Sequence, residues 1–240
     1  SDIAGKRCVV TGASGGIGHG FVEHLIQSDK VDTIYAFSRS EASFESDKVL
    51  SGHLDLSDEA SIEKAAASIE GKPDITVVAS GVLHDGDLQP EKSLRDLNMD
   101  NFEQVFTVNA FGPALVAKHF LPLIDKEARS VFAVVTGRVG SIEDNYLGGW
   151  YAYRASKSAM HMLVRNAAIE TGRRFKNASI ISIHPGTVDT DLSEPFSGNV
   201  KPEKLFSPAQ STGYMLDVID NATAEQSGKL FAYDGEIIPY

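Results

Sequence analysis

At 240 residues, with 42% hydrophobic and 23% charged side chains, the chain has the composition of one soluble globular domain with room for a substantial core. Lys and Arg number 22 against 33 Asp and Glu, and the resulting charge of −11 speaks against nucleic-acid and anionic-membrane partners, since neither is drawn to a net-negative surface. The single cysteine, Cys8, excludes an intrachain disulfide, no apolar stretch reaches the length of a membrane span, and residues 1–6 lack the apolar core of a signal peptide, so a cytoplasmic location is expected.

Residues 7–11 form the first predicted strand, short and rich in β-branched side chains, with Cys8 as a small buried member. Thr11-Gly12-Ala13-Ser14-Gly15-Gly16-Ile17-Gly18 then turns into a helix predicted over 16–27. Glycines let a backbone turn tightly and approach a pyrophosphate, while a helix N-terminus offers N–H groups and a positive dipole end. Strands follow at 33–37 and, more weakly, 49–54. A helix at 57–69, a strand at 75–79, a long helix at 101–124, a strand at 130–135, a helix at 151–172 and a strand at 179–184 come next. A connection at 191–207 precedes a helix at 208–220, with Ser207 as N-cap and Pro208 at its first position, and a last strand at 229–233. This alternation predicts an α/β, single-domain Rossmann fold across residues 1–240: a doubly wound parallel sheet of about seven strands with helices on both faces. Ligands in such sheets bind beyond the carboxyl ends of the strands, where every motif below falls.

Tyr153-Arg154-Ala155-Ser156-Lys157 places a phenol and an ammonium four residues apart, on one face of the predicted 151–172 helix. A free tyrosine titrates near pH 10; a neighbouring lysine favours the phenolate and is expected to draw that value toward the working range. The glycine turn from 11 to 18, Gly140-Ser141-Ile142, and the run from Gly148 to Lys157 together resemble the short-chain dehydrogenase/reductase family, in particular the branch containing C-factor and the sniffer-type carbonyl reductases.

The resemblance implies hydride transfer between a nicotinamide and a carbonyl or alcohol of a small organic substrate, with Tyr153 as general acid/base. Lys157 would assist it, and Asn109 would hold a water in the proton relay. It implies cofactor contacts from Gly12, Ser14, Gly15, Gly16, Ile17 and Gly18 in the turn, from Asp55 and Leu56 near the adenine, and from Ala79, Ser80 and Gly81 after the fourth strand. Tyr153, Lys157, Pro185, Gly186, Val188 and Thr190 would contact the nicotinamide side. Asp55 also reads as a turn aspartate ahead of the 57–69 helix. Members that prefer NAD carry an acidic residue after the second strand; here Ser38-Arg39 stands there, and a guanidinium suits a 2′-phosphate, so NADPH is expected. NAD stays open because Ser14, Gly15 and His19 bring no second basic group to the turn. A homodimer or homotetramer is expected by the same resemblance, with contacts from the 101–124 and 151–172 helices and residues 235–240.

Two departures stand out. The family's substrate-holding serine aligns with Gly137, leaving Thr136 or Ser141 to supply a hydroxyl; Thr136 is the favoured candidate although strand alternation points it away. The family's Asn-Ala-Gly appears as Ala79-Ser80-Gly81. These departures sustain a rival reading, a nucleotide-binding signalling or regulatory protein with weak or no turnover. The seven histidines show no metal-ligand spacing, so no metal is expected, and His184 reads as packing at a strand end. Trp150 and Tyr151 read equally as pocket lining or packing. The 191–207 connection reads as a substrate lid, its Leu192, Phe196 and Leu205 pointing to an apolar substrate.

Overall fold

The structure is a computed structural model describing residues 5–79, 81, 88–190 and 204–240; Ser80, Leu192 and Phe196, and with them most of the expected lid, lie outside the described residues. Strand β1 (Lys6–Thr11) pairs in parallel with β2 (Val31–Ser38) on one side and β4 (Ile75–Val78) on the other. With β3 (Val49–His53), β5 (Ser130–Val135), β6 (Ala178–His184) and β9 (Leu230–Ala232), they form one seven-stranded parallel sheet, ordered β3-β2-β1-β4-β5-β6-β9. The order reverses between β1 and β4, which opens a crevice at their carboxyl ends.

Strand pleating sorts side chains to two cores. Val9, Phe37, Phe132 and Val134 face one layer, built by α2 (Glu59–Ala67), α4 (Gly112–Phe120) and α5 (Tyr151–Gly172). Their alternates Cys8, Val10, Ala36, Val131 and Ala133 face the other, built by α1 (Gly16–Ile26) and α6 (Pro208–Asn221). Cys8 is fully buried there, and burial pushes its thiol up to about 12, which fits packing rather than nucleophilic duty. Ser207 caps α6 with Pro208 in its first turn, as expected, and the structure adds a capping box with Gln210.

The long helix expected over 101–124 is not continuous. Helix α3 (Met99–Phe106) passes into a π-turn at Thr107–Phe111 before α4 begins. Pro113 has no N–H to donate to the Asn109 carbonyl four residues back, and the register slips so that Gly112 N–H reaches Thr107 O five residues back. A second small sheet, β7 (Thr187–Val188) with β8 (Leu205–Phe206), follows β6 and has no counterpart in the sequence reading. Among the described residues, no helix is long and apolar enough to cross a membrane.

Candidate active site

The glycine turn leaves β1 at Gly12, whose φ of +77° favours glycine. A Cβ at Gly18 would lie 2.0 Å from Gly12 O, so only a bare backbone lets α1 begin this close to the strand. Gly15 stands at the N-cap, no side chain caps α1, and its first turn carries no acid. Ser14, Gly15 and Gly16 are exposed, Ile17 is half-buried, and Thr190 closes over the turn with its methyl 2.8 Å from where a Gly16 Cβ would be. This cradle fits a pyrophosphate: an uncapped helix N-terminus with no acid in its first turn.

The end of β2 is tied to that turn. Ala13 N–H donates to Phe37 O at 3.0 Å, and the Ser40 hydroxyl donates to Ser14 Oγ at 3.2 Å. Ser38 itself is buried and its hydroxyl donates to Ser40 O at 2.6 Å. The Ser38 hydroxyl is thus turned inward, and Ser40, two residues later, is the exposed serine beside Arg39. Arg39 is exposed, its carbonyl lies 3.2 Å from His53 Nδ1, and its charge helps hold the Asp55 carboxyl below its usual range. Hydrogen bonds from the Ser57 hydroxyl and N–H, at 2.7 and 2.9 Å, are the larger cause. Asp55 thus makes the turn contact read for it as an alternative, half-exposed at the rim, while Leu56 is buried against Gly112.

At the β4 end, a Cβ on Gly81 would meet Lys157 Nζ at 3.2 Å and Asn109 Oδ1 at 3.4 Å. Gly81, the π-turn and α5 therefore converge, with Ala79 half-buried at the strand end. Asn109 is buried, and its Nδ2 donates at 3.2 Å to the Ser156 hydroxyl, which in turn donates at 2.7 Å to Tyr153 O. Ser156, within the Tyr-to-Lys interval, is a link that sequence reasoning passed over. On the β6 side, Gly186 (φ +78°) packs under the Phe206 and Tyr233 rings, Pro185 O accepts from the Ser211 hydroxyl at 2.7 Å, and Val188 is buried in β7. His184 accepts from Arg138 N–H at 3.2 Å, and burial holds it neutral at about 4.

Lys157 is buried, and its Nζ stands 5.6 Å from the centre of the Tyr153 ring. Burial brings the ammonium down to about 8 and pushes the phenol up to about 12. In the protein alone, desolvation by burial is the cause on both groups. Tyr153 is a protonated donor at pH 7.

The second hydroxyl is not where it was expected. A Cβ on Gly137 would sit 3.9 Å from the Tyr153 hydroxyl, so position 137 faces the site. Thr136 points elsewhere, its hydroxyl 2.9 Å from Nε2 of buried His161, two helical turns beyond Tyr153. Strand alternation prevails, and the assignment of Thr136 as the substrate-holding hydroxyl is corrected. The Ser141 hydroxyl is buried and accepts from Asp144 N–H at 3.2 Å. Trp150 lies edge-on to Tyr153, ring centres 6.1 Å apart. Among the described residues, no three His, Cys, Asp or Glu side chains group as a metal site.

The model of the short chain dehydrogenase family matches residues 6–200. C-signal of Myxococcus xanthus is 36% identical over 148 residues, 62% of this chain and 84% of that protein. The 1-hydroxy-2-glutathionyl-2-methyl-3-butene dehydrogenase of a Rhodococcus species is 29% identical over 235 residues, covering 97% and 98%. The NADPH-bound carbonyl reductase from chicken fatty liver superposes with a TM-score of 0.85 at 25% identity, covering 99% of this chain and 95% of that one. The family match spans most of the chain: the chain belongs to the short-chain dehydrogenase/reductase family and is an NAD(P)-dependent oxidoreductase.

Proposed function

We propose that the protein is an NADPH-dependent carbonyl reductase of a small organic substrate, with Tyr153 as the proton donor. The observation that carries this reading is the Tyr153 hydroxyl, protonated at neutral pH, facing the bare backbone of Gly137 while Lys157 and Asn109 converge at Gly81. NADPH, when bound, supplies hydride from nicotinamide C4. The chain's share is orientation and proton supply. The amides around Gly15 to Gly18 hold the pyrophosphate, and Arg39 with the Ser14 and Ser40 hydroxyls holds the 2′-phosphate. Asp55 and Leu56 border the adenine, and Ala79, Gly81, Pro185, Gly186, Val188 and Thr190 border the nicotinamide side.

As the substrate carbonyl carbon becomes sp³, its oxygen takes the Tyr153 proton: the phenol O–H bond breaks and the alcohol O–H bond forms. Lys157, charged below about pH 8, steadies the phenolate left behind. Asn109 carries reprotonation through water from the π-turn, its amide held by Ser156. We extend the reading to a homodimer or homotetramer that covers exposed Phe111 in the π-turn and Met162 on α5.

The test is nucleotide affinity measured alongside NADPH oxidation across aldehydes, ketones, α-dicarbonyls and quinones. The expected result is tighter binding of NADPH than of NADH and turnover of at least one carbonyl class. Nucleotide binding with no turnover across the panel would instead support the regulatory reading.

A further inference from the structure

Glu91 belongs to none of the motifs above and lies in a polar stretch, Gln89-Pro90-Glu91-Lys92, yet only 3% of its surface is exposed. Two anchors hold the stretch in place. Leu88 is buried against Val105 of α3 and Ala152 of α5, and Asp96 Oδ2 accepts from both Lys92 N–H and Ser93 N–H at 2.9 Å. Between those anchors, Glu91 meets the start of α5. Its carbonyl accepts from Trp150 N–H at 2.6 Å, and its carboxylate Oε2 accepts from Ala152 N–H at 3.2 Å.

Helix α5 needs what Glu91 gives. Its N-cap, Trp150, sits at φ +51° in the left-handed region, makes no side-chain cap, and is followed by a first turn without an acid. A carboxylate against first-turn amides satisfies a buried donor and complements the positive end of the helix dipole. Among the described residues, no ion pair includes Glu91, so its partners are these amides rather than a cation. Ala152 immediately precedes Tyr153, and Trp150 lies edge-on to the Tyr153 ring.

We infer that Glu91 is a positioning residue: it fixes Trp150 and the first turn of α5, and thereby holds the Tyr153 hydroxyl opposite Gly137. The inference rests on the proposed role of Tyr153. Displacement of a reacting group by about 1 Å costs up to about 10²-fold in rate, so a loosened first turn lowers kcat by about tenfold or more. Glu91 lies outside the glycine turn and the Arg39 segment proposed to hold the phosphates, so NADPH affinity is expected to stay within about twofold.

Trp150 is the only tryptophan, so its fluorescence reads the held residue directly. The experiment compares Glu91→Ala and Glu91→Gln with the parent protein in Trp150 emission, NADPH affinity, and kcat and KM for the carbonyl that the parent reduces. Glu91→Ala is expected to shift Trp150 emission and lower kcat about tenfold or more. Glu91→Gln, which keeps an acceptor oxygen, is expected to restore both to near the parent. Parental emission and kcat in Glu91→Ala would overturn the inference, as would a folded Glu91→Gln protein as impaired as Glu91→Ala. If Glu91→Ala does not fold, Glu91→Gln decides alone: near-parental kcat and emission support the inference and their loss overturns it. A parent without turnover would defeat the functional reading instead, and the Trp150 emission of the two variants would still judge the positioning.

Discussion

Restoring a hydroxyl at position 137 should make the enzyme faster. Gly137 has φ −151° and ψ +144°, extended backbone that serine adopts without strain. Its Cβ would stand 3.9 Å from the Tyr153 hydroxyl, so a serine Oγ, one bond further out, reaches the space where a substrate oxygen meets that hydroxyl. The cost is crowding: the same Cβ would lie 3.1 Å from Val139 Cγ2, and half-buried Val139 must move by a few tenths of an ångström. Gly137→Ala carries the crowding without the hydroxyl and is the control. Removal of one oxyanion donor typically costs about 10²- to 10³-fold in kcat; with imperfect placement, Gly137→Ser should exceed Gly137→Ala by about 10- to 100-fold in kcat/KM. That corresponds to about 1.4 to 2.7 kcal/mol of transition-state stabilisation. The assay is steady-state NADPH oxidation with the parent's best carbonyl, with NADPH affinity measured in parallel. Equal kcat/KM for the two folded variants would refute the argument that the site lacks a hydroxyl at 137.

Arg39→Gln should weaken NADPH binding by about tenfold and leave NADH binding unchanged, read by equilibrium titration; equal losses for both nucleotides would contradict the 2′-phosphate assignment. Lys157 gives a stability test with a definite sign. Its folded value of about 8 lies below the ordinary 10.5, so between those values the unfolded chain binds a proton that the folded chain does not, and stability rises with pH. The parent-minus-Lys157→Met difference in unfolding free energy should therefore grow by roughly 3 kcal/mol from pH 8 to 10.5. The difference is what must be read, because Cys8 and Tyr153, both pushed up to about 12, act in the opposite sense above pH 9 and 10. A flat difference would place the Lys157 ammonium in solvent rather than in the core.

The sheet and its helices were legible because each strand is a short β-branched run and each motif sits at a strand end. What escaped was set by geometry that periodicity does not encode. The π-turn at Asn109 continues the apolar helical pattern of 101–124, and only the missing N–H of Pro113 hints at the slipped register. Two-residue strands such as β7 and β8 are too short to alternate visibly. Ser38 and Ser40 are the same residue type two places apart, and one internal hydrogen bond decides which faces the crevice. Alternation argued against Thr136, and the bond to His161 upholds it. Glu91 looked like surface charge because its partners are amides some sixty residues along the chain.

The central claim is that the Tyr153 hydroxyl delivers the proton while the rest of the chain holds nucleotide and substrate. Tyr153→Phe removes that hydroxyl and keeps the ring against Trp150. With NADPH affinity measured beside kcat in the same preparation, kcat should fall by about 10²-fold or more while affinity stays within about twofold. Parental kcat in the folded variant would contradict the account.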